Sequence, residues 1–372
     1  MSDRGVIRPE GDELEAVLWL RALPGLSDSK LHELVTRYGS ARAALSAPAP
    51  VLGERAASLR DSPVVRGRIE SALRTIDRLN VTVLTRSSPS YPERLAHLHD
   101  PPFVLFARGR LELLERPIVA IVGSRRATTY GLDVARLLAG DLARAGLVVV
   151  SGMARGIDGA AHVAALEHGT IGVLGCGVDV VYPTEHGELH RRVAEEGLLL
   201  SEFLPGTGVR PFRFPQRNRI LAALAAGVVV VEASEKSGAL ITAAHALELG
   251  REVFAVPGPI GRPTSVGSNR LIQDGAALVA DAADVLDGLG FAVALRDRTP
   301  GGEAARPPAG LDGRLLRLWE SLEPEPRHVD EIARGAGLAS AETLVGLLEL
   351  ELRGHARQLP GMRFGRAVAR LG

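Results

Sequence analysis

Residues 116–128 read RPIVAIVGSRRAT, an apolar run from Ile118 to Val122 that stops at Gly123 and gives way to Ser124, Arg125, Arg126 and Thr128. A run this short, bounded by Pro117 and Gly123 and rich in Ile and Val, fits a strand buried on both faces better than a helix. The same texture recurs downstream. Leu147 to Val150, Thr170 to Leu174, Leu198 to Leu200, Val228 to Val231 and Glu252 to Val256 read as further strands. Between them lie helical patterns at Tyr130 to Ala145, Asp158 to Glu167, Glu185 to Glu196, Arg217 to Ala226 and Leu240 to Leu249. Continuous apolar strands alternating with helices imply a parallel sheet covered on both sides. The expected fold class is α/β: a Rossmann-like, doubly wound, mostly parallel sheet over residues 86–296.

Outward from this centre the pattern changes. From Glu13 to Asn80 the apolar residues recur near a helical period, and Leu23-Pro24-Gly25-Leu26 before Ser27 to Gly39 reads as helix, tight turn, helix. Residues 1–85 are therefore expected to form a helical unit of helix-hairpin-helix type, which also resembles a sterile-alpha-motif-like domain, and Phe103 to Phe106 an apolar bridge beyond it. As a DNA signal the turn is weak, and a small bundle is the simpler reading. Residues 297–310, DRTPGGEAARPPAG, lack apolar periodicity and read as a flexible linker. Residues 311–372 carry three helical patterns, Leu311 to Leu322, Val329 to Ala336 and Ser340 to Arg353. A hairpin pattern from Ala356 to Val368 completes an expected winged helix.

Composition narrows the function. The chain has 372 residues, 44 Lys+Arg against 44 Asp+Glu, and 46% hydrophobic residues, enough for packed cores in more than one domain. The single cysteine, Cys176, excludes an intramolecular disulfide framework and a cysteine-held metal; it reads as a small residue in a tight loop. The polar N-terminus and the lack of a long apolar stretch point to a cytoplasmic protein without a membrane partner. Zero net charge leaves a local nucleic-acid footprint open.

Several loops follow strands, where an open sheet binds ligands. The Gly123 loop offers backbone amides, hydroxyls and two guanidiniums, which makes it a phosphate cradle; a full G-x-G-x-x-G and a Walker A sequence are both missing, so no nucleotide cofactor is expected. Ser151, Asp158 and His162 have the composition of a hydrolase triad. Without a nucleophile elbow they read as structural, Asp158 capping the helix that carries His162. His186 and His190 have metal-ligand spacing but no third partner, and read as an exposed helix face. The densest signal is Arg210 to Arg219, RPFRFPQRNR, which lies in an acid-free stretch from Leu204 to Val231. Arginines interleaved with Phe212 and Phe214 suit phosphates and stacked bases of a single strand. Lys236-Ser237-Gly238 adds a cation and helix-terminal amides to the same rim.

Several motifs then occur in order: Pro117 to Arg126, Ser151 to His162, Gly175-Cys-Gly-Val-Asp179 with Tyr182-Pro183, and Phe214 to Ile220. Ser237 to Thr242, Val256-Pro-Gly258 and Gly267 to Ala276 complete the set. Together they resemble the DNA-processing protein A (DprA) family over about Tyr91 to Leu289. The resemblance implies a non-enzymatic, homodimeric mediator of natural transformation that binds and protects incoming single-stranded DNA and helps load the RecA recombinase. By motif, Gly123, Ser124 and Arg125 carry over as DNA contacts, as do Phe214, Arg217 and Asn218. The expected single-strand site is these residues with Arg126, Arg210, Arg213 and Lys236; no catalytic residue, metal or cofactor is expected. His186 stands where the family has asparagine in its Tyr-Pro-x-x-Asn pattern, and Ala239 where Ser or Thr is common. The alternative is a Rossmann-like nucleotide-processing enzyme of phosphoribohydrolase type, whose Pro-Gly-Gly-x-Gly-Thr loop this sequence lacks. A winged-helix transcription factor is disfavoured by Glu342, Glu349 and Glu351 on the third helix, which points instead to protein interaction.

Overall fold

The computed structural model describes residues 11–291, 308, 311–323, 327–359 and 361–366. It divides into two compact units, Met1–Leu295 and Arg296–Gly372. The linker expected at 297–310 lies outside the described residues except for Pro308, as does the end of the hairpin expected to run to Val368.

The first unit is built on nine strands: β1 (Thr82–Thr85), β2 (Val104–Gly109), β3 (Ile118–Val122), β4 (Val148–Ser151), β5 (Thr170–Val173), β6 (Leu198–Ser201), β7 (Gly227–Val230), β8 (Glu252–Ala255) and β9 (Ala277–Leu278). Their order is β1-β2-β6-β5-β4-β3-β7-β8-β9. From β6 through β9 neighbours are parallel, whereas β1, β2 and β6 pair antiparallel. Every residue of β3 to β7 is buried, as the unbroken apolar runs require. The α/β, mostly parallel expectation is met. The apolar bridge at Phe103 to Phe106 turns out to supply the first half of β2. β1 pairs into the sheet from within the stretch expected to be helical.

One helix starts earlier than its pattern indicates. It was expected from Arg217, but it spans Arg213–Leu224, with Phe212 as N-cap. Pro215 is tolerated because it falls in the first turn, where the backbone amide has no intrahelical acceptor.

The N-terminal helices Gly11–Ala22, Asp28–Tyr38 and Pro63–Leu79 form a layer on the sheet. Leu18, Leu20, Leu34, Ile69 and Ile76 share one core with Val104 and Phe106 of β2 and Leu199 of β6. The turn between the first two helices uses Gly25 at φ +81° and Ser27, whose hydroxyl caps the second helix by accepting from the Lys30 amide.

A buried ionic cluster ties this layer to the Arg213–Leu224 helix. Arg219 reaches Glu202 at 2.7 Å and Asp28 at 3.3 Å, and Arg21 Nε donates to the Glu202 carbonyl at 3.0 Å. In the second unit the helices Gly313–Glu320, Val329–Ala336 and Ser340–Leu352 pack with a three-stranded sheet, Arg327–His328, Ala356–Leu359 and Arg363–Arg366. Leu318, Ile332, Leu347, Leu350 and Phe364 form its core, the expected winged helix.

Arg219→Ala strands two buried carboxylates, so it is expected to lower stability by about 3–5 kcal/mol. Urea unfolding followed by circular dichroism measures this; a loss under about 1 kcal/mol, the range of exposed pairs, would mean that water screens the cluster.

Candidate nucleic-acid interface

Strand order runs from β3 outward to β6 on one side and restarts at β7 on the other, so the loops leaving β3 and β7 diverge. Such a switch point opens a crevice at the carboxyl ends of the strands. Here it is a pocket of about 610 Å³. Gly123 to Arg126 line one wall, Phe214, Arg217 and Asn218 another, with Ala154 and Asp158 from the β4 loop and Ser237 and Gly238 from the β7 loop.

The β3 loop is braced from both ends. Gly156, at φ +74°, lies against the Ser124 carbonyl, where a Cβ would overlap the oxygen, and the Ile157 amide donates to that carbonyl at 3.2 Å. At the other end the Thr128 amide and hydroxyl donate to the Glu232 carboxylate at 2.9 and 2.5 Å. The Thr128 hydroxyl also caps the Thr129–Arg144 helix by accepting from the Gly131 amide. Glu232 thus sits at the helix N-terminus that receives a dinucleotide's pyrophosphate in nucleotide-binding relatives of this fold. A resident carboxylate repels phosphate there, so the open positive potential of the loop lies on its arginine side.

On that side, the Arg125 guanidinium lies 4.8 Å from the centroid of Phe214, and the Tyr182 ring lies 5.3 Å from it on another flank. Gly175 makes room, since a Cβ there would stand 3.0 Å from the Phe214 ring. Arg125 and Arg126 are exposed, and neither is in an ion pair among the described residues.

The floor is charged and buried. Arg217 is 3% exposed and donates to the Val173 carbonyl, while its Nε has no partner among the described residues. Burial pushes Arg217 down to about 10 against the opposing pull of Asp158, so it stays protonated at neutral pH. Asp158 accepts from the Gly152 and Ala154 amides at 3.1 and 3.3 Å, and burial, partly offset by Arg217, holds it above the usual carboxylate range. Asn218 donates to the Gly238 carbonyl at 3.2 Å, joining the helix to the β7 loop.

Of the residues expected at the site, Gly123, Ser124, Arg125, Arg126, Phe214, Arg217 and Asn218 converge on the pocket. Arg210, Arg213 and Lys236 do not line it. Arg213 turns away to the Gly208 carbonyl and the Phe203 ring, and Arg210 and Lys236 are exposed outside. Tyr182 and Glu232 were not singled out: Tyr182 lay in a quoted motif without a role, and Glu232 gave no signal beyond ending a strand.

Ser151, Asp158 and His162 hold separate structural positions. The Ser151 hydroxyl donates to the Ile121 carbonyl at 2.6 Å. His162 accepts the Met153 amide at Nε2 and lies 2.7 Å from the Thr170 hydroxyl at Nδ1. Asp158 corrects the helix-cap reading: it lies inside the Ile157–Ala165 helix, whose N-cap Gly156 has no side-chain cap, and it accepts amides of the preceding loop instead. His190 corrects the exposed-face reading, since it is buried on the side of its helix that carries Val193. Cys176 is buried and donates to the Val180 carbonyl.

A family model described as DNA recombination-mediator protein A matches residues 82–290, and one for the DprA winged helix domain matches residues 302–362. The chain belongs to the DprA family. Among DprA relatives, protein Smf of Escherichia coli K12 is 40% identical over 300 residues, covering 80% of this chain and 80% of its own. The X-ray structure of DprA from Streptococcus pneumoniae superposes with TM-score 0.64 at 33% identity, over 76% of this chain and 98% of that one. A Helicobacter pylori DprA structure, described by its unique single-stranded DNA binding mode, gives TM-score 0.52 at 33% identity over 57% and 96% of the respective chains. In this DprA chain His186 sets Nδ1 3.2 Å from the Met153 carbonyl and packs its ring on Gly159.

Burial beneath the pocket makes His162 acid-sensitive. Its value falls from 6.5 to about 3, first through burial and then through His186 and Arg217. The unfolded chain takes up a proton below 6.5 that the folded protein refuses until about 3. Stability should therefore fall across that window as pH drops, by up to about 1.4 kcal/mol per pH unit. Urea titrations at several pH values should give a shallower fall in His162→Asn; identical slopes would reject the assignment.

Proposed function

We propose that the crevice binds single-stranded DNA, and that the protein, as a cytoplasmic homodimer, protects incoming strands and helps load RecA in natural transformation without breaking a bond. The observation that carries this reading is Arg125 stacked on Phe214 at the mouth of a recessed, cation-lined pocket. Phosphates pair with Arg125 and Arg126 while an unpaired base reaches the aromatic wall. In a duplex the same base is stacked and paired, and extruding it costs a few kcal/mol. Asp158, the acid on the pocket wall, already accepts two amides, which favours binding over glycosidic chemistry. The Helicobacter pylori relative and the recombination-mediator description of the family support transfer of the role.

For the homodimer, the supporting surface is the open β9 edge of the sheet, where Leu278 is 50% exposed. The winged helix fits a protein partner better than DNA. Its third helix presents Val345, Leu348 and Leu352 to solvent alongside Glu342, while Glu349 is half-buried and pairs with Arg314 and Arg353.

Fluorescence anisotropy should show labelled single strands bound more tightly than duplex, with affinity falling as salt rises. Arg125→Gln should flatten the log–log salt slope by about 0.7, and Phe214→Ala should weaken binding by about 1–3 kcal/mol per stacked base with the slope kept. Equal affinity for duplex would overturn the reading. Sedimentation should give a dimer that Leu278→Asp converts to monomer, and the dimer should shorten the lag of RecA assembly on single strands; an unchanged lag would remove the loading role.

A further inference from the structure

The segment that leads into Arg213 lies on the helical layer: Leu204 and Val209 pack in the same core as Leu20 and Ile69. Along this path the surface becomes cationic. Arg213 spreads its guanidinium 5.1 Å from the Phe203 ring and 5.6 Å from that of Phe212. Arg210 stands on the same segment, while Arg21 and Arg68 come from the Gly11–Ala22 and Pro63–Leu79 helices. Burial first, and then the charges of Arg210, Arg21 and Arg68, hold Arg213 below the usual arginine range, so the three other charges act on it across the junction. Among the described residues, the side chains of Arg68 and Arg210 make no ion pair or hydrogen bond. Phe212 leaves 66% of its surface in water. Arg21 lies beside the buried Glu202, whose carboxylate Arg219 engages, but Arg68, Arg210 and Arg213 pair with no acid among the described residues; such like charges favour a polyanion over a neutral partner, and an exposed ring among them is a stacking platform. An acidic protein surface would satisfy the arginines but leave Phe212 without a purpose.

We infer that the single-strand track continues out of the crevice, over Phe212, and onto the helical layer, where Arg210, Arg213, Arg21 and Arg68 hold its phosphates. This rests on the crevice binding DNA, and it adds a contact segment that Arg21, Arg68 and Phe212 create only in the folded chain. The helical layer thereby becomes part of the binding surface as well as a support for the sheet.

The test uses the full chain and two oligothymidylates, one of about four nucleotides that fills the crevice and one of about sixteen, the span of site sizes in single-strand-binding folds. Phe212→Ala and Arg68→Gln both alter exposed side chains. Phe212→Ala should weaken the long oligomer roughly tenfold and leave the short one unchanged. Arg68→Gln should lower the salt slope of the long oligomer by about 0.7, again sparing the short one, whereas Arg125→Gln should weaken both. If the two variants bind the long oligomer like the parent, or weaken both oligomers equally, the extended track is overturned while the crevice stands. If the parent binds neither oligomer, the crevice reading falls and the track falls with it.

Discussion

Beneath the crevice a guanidinium is held away from water. Arg217 bonds to the end of β5 through Val173, lies against Gly152, and faces the carboxylate of Asp158, which in turn ties down two amides of the β4 loop. A buried charge is tolerable only while its partners stay in place, so this contact fixes three elements at once: the β4 loop, the end of β5 and the first turns of the Arg213–Leu224 helix. Phe214 stands on that first turn, three residues before Arg217. The position of the aromatic wall is therefore set from below, by electrostatics in a dry environment, before any ligand arrives.

Much of this was legible in the chain. The strands from β3 to β8 announce themselves because burial on both faces demands unbroken apolar runs, and the turn residues after them mark the binding rim. β1, β2 and β9 were harder to read. β1 and β9 are short edge strands and β2 an antiparallel one, so each depends on a neighbour that the local pattern does not contain. At the site, Gly123, Arg125 and Phe214 could be brought together from topology alone, since loops at a switch point share a crevice. What the sequence did not show was where some side chains point. Arg210 and Arg213 neighbour Phe214 in sequence, but they precede or begin the helix and turn toward the helical layer, and nothing in the spacing reveals that turn. Glu232 and Tyr182 are the converse: distant in sequence, adjacent in space, and without a motif that states their task.

The N-terminal helices illustrate a further limit of pattern reading. Their periodicity specifies helices with an apolar face but not what that face meets. In the structure it meets β2 and β6, and the Arg219 cluster adds a polar bond across the same boundary. Sheet and helical layer are consequently one cooperative body, and the layer cannot be removed without exposing Phe106 and Leu199.

The carboxylate at the start of the Thr129–Arg144 helix has a consequence for how a charged ligand would be oriented. In dinucleotide-binding proteins of this architecture that spot takes the cofactor's pyrophosphate. Glu232 places the protein's own negative charge there, held by the Thr128 amide and hydroxyl. On the proposed reading, the same charge steers a strand's phosphates away from the helix start and toward Arg125 and Arg126.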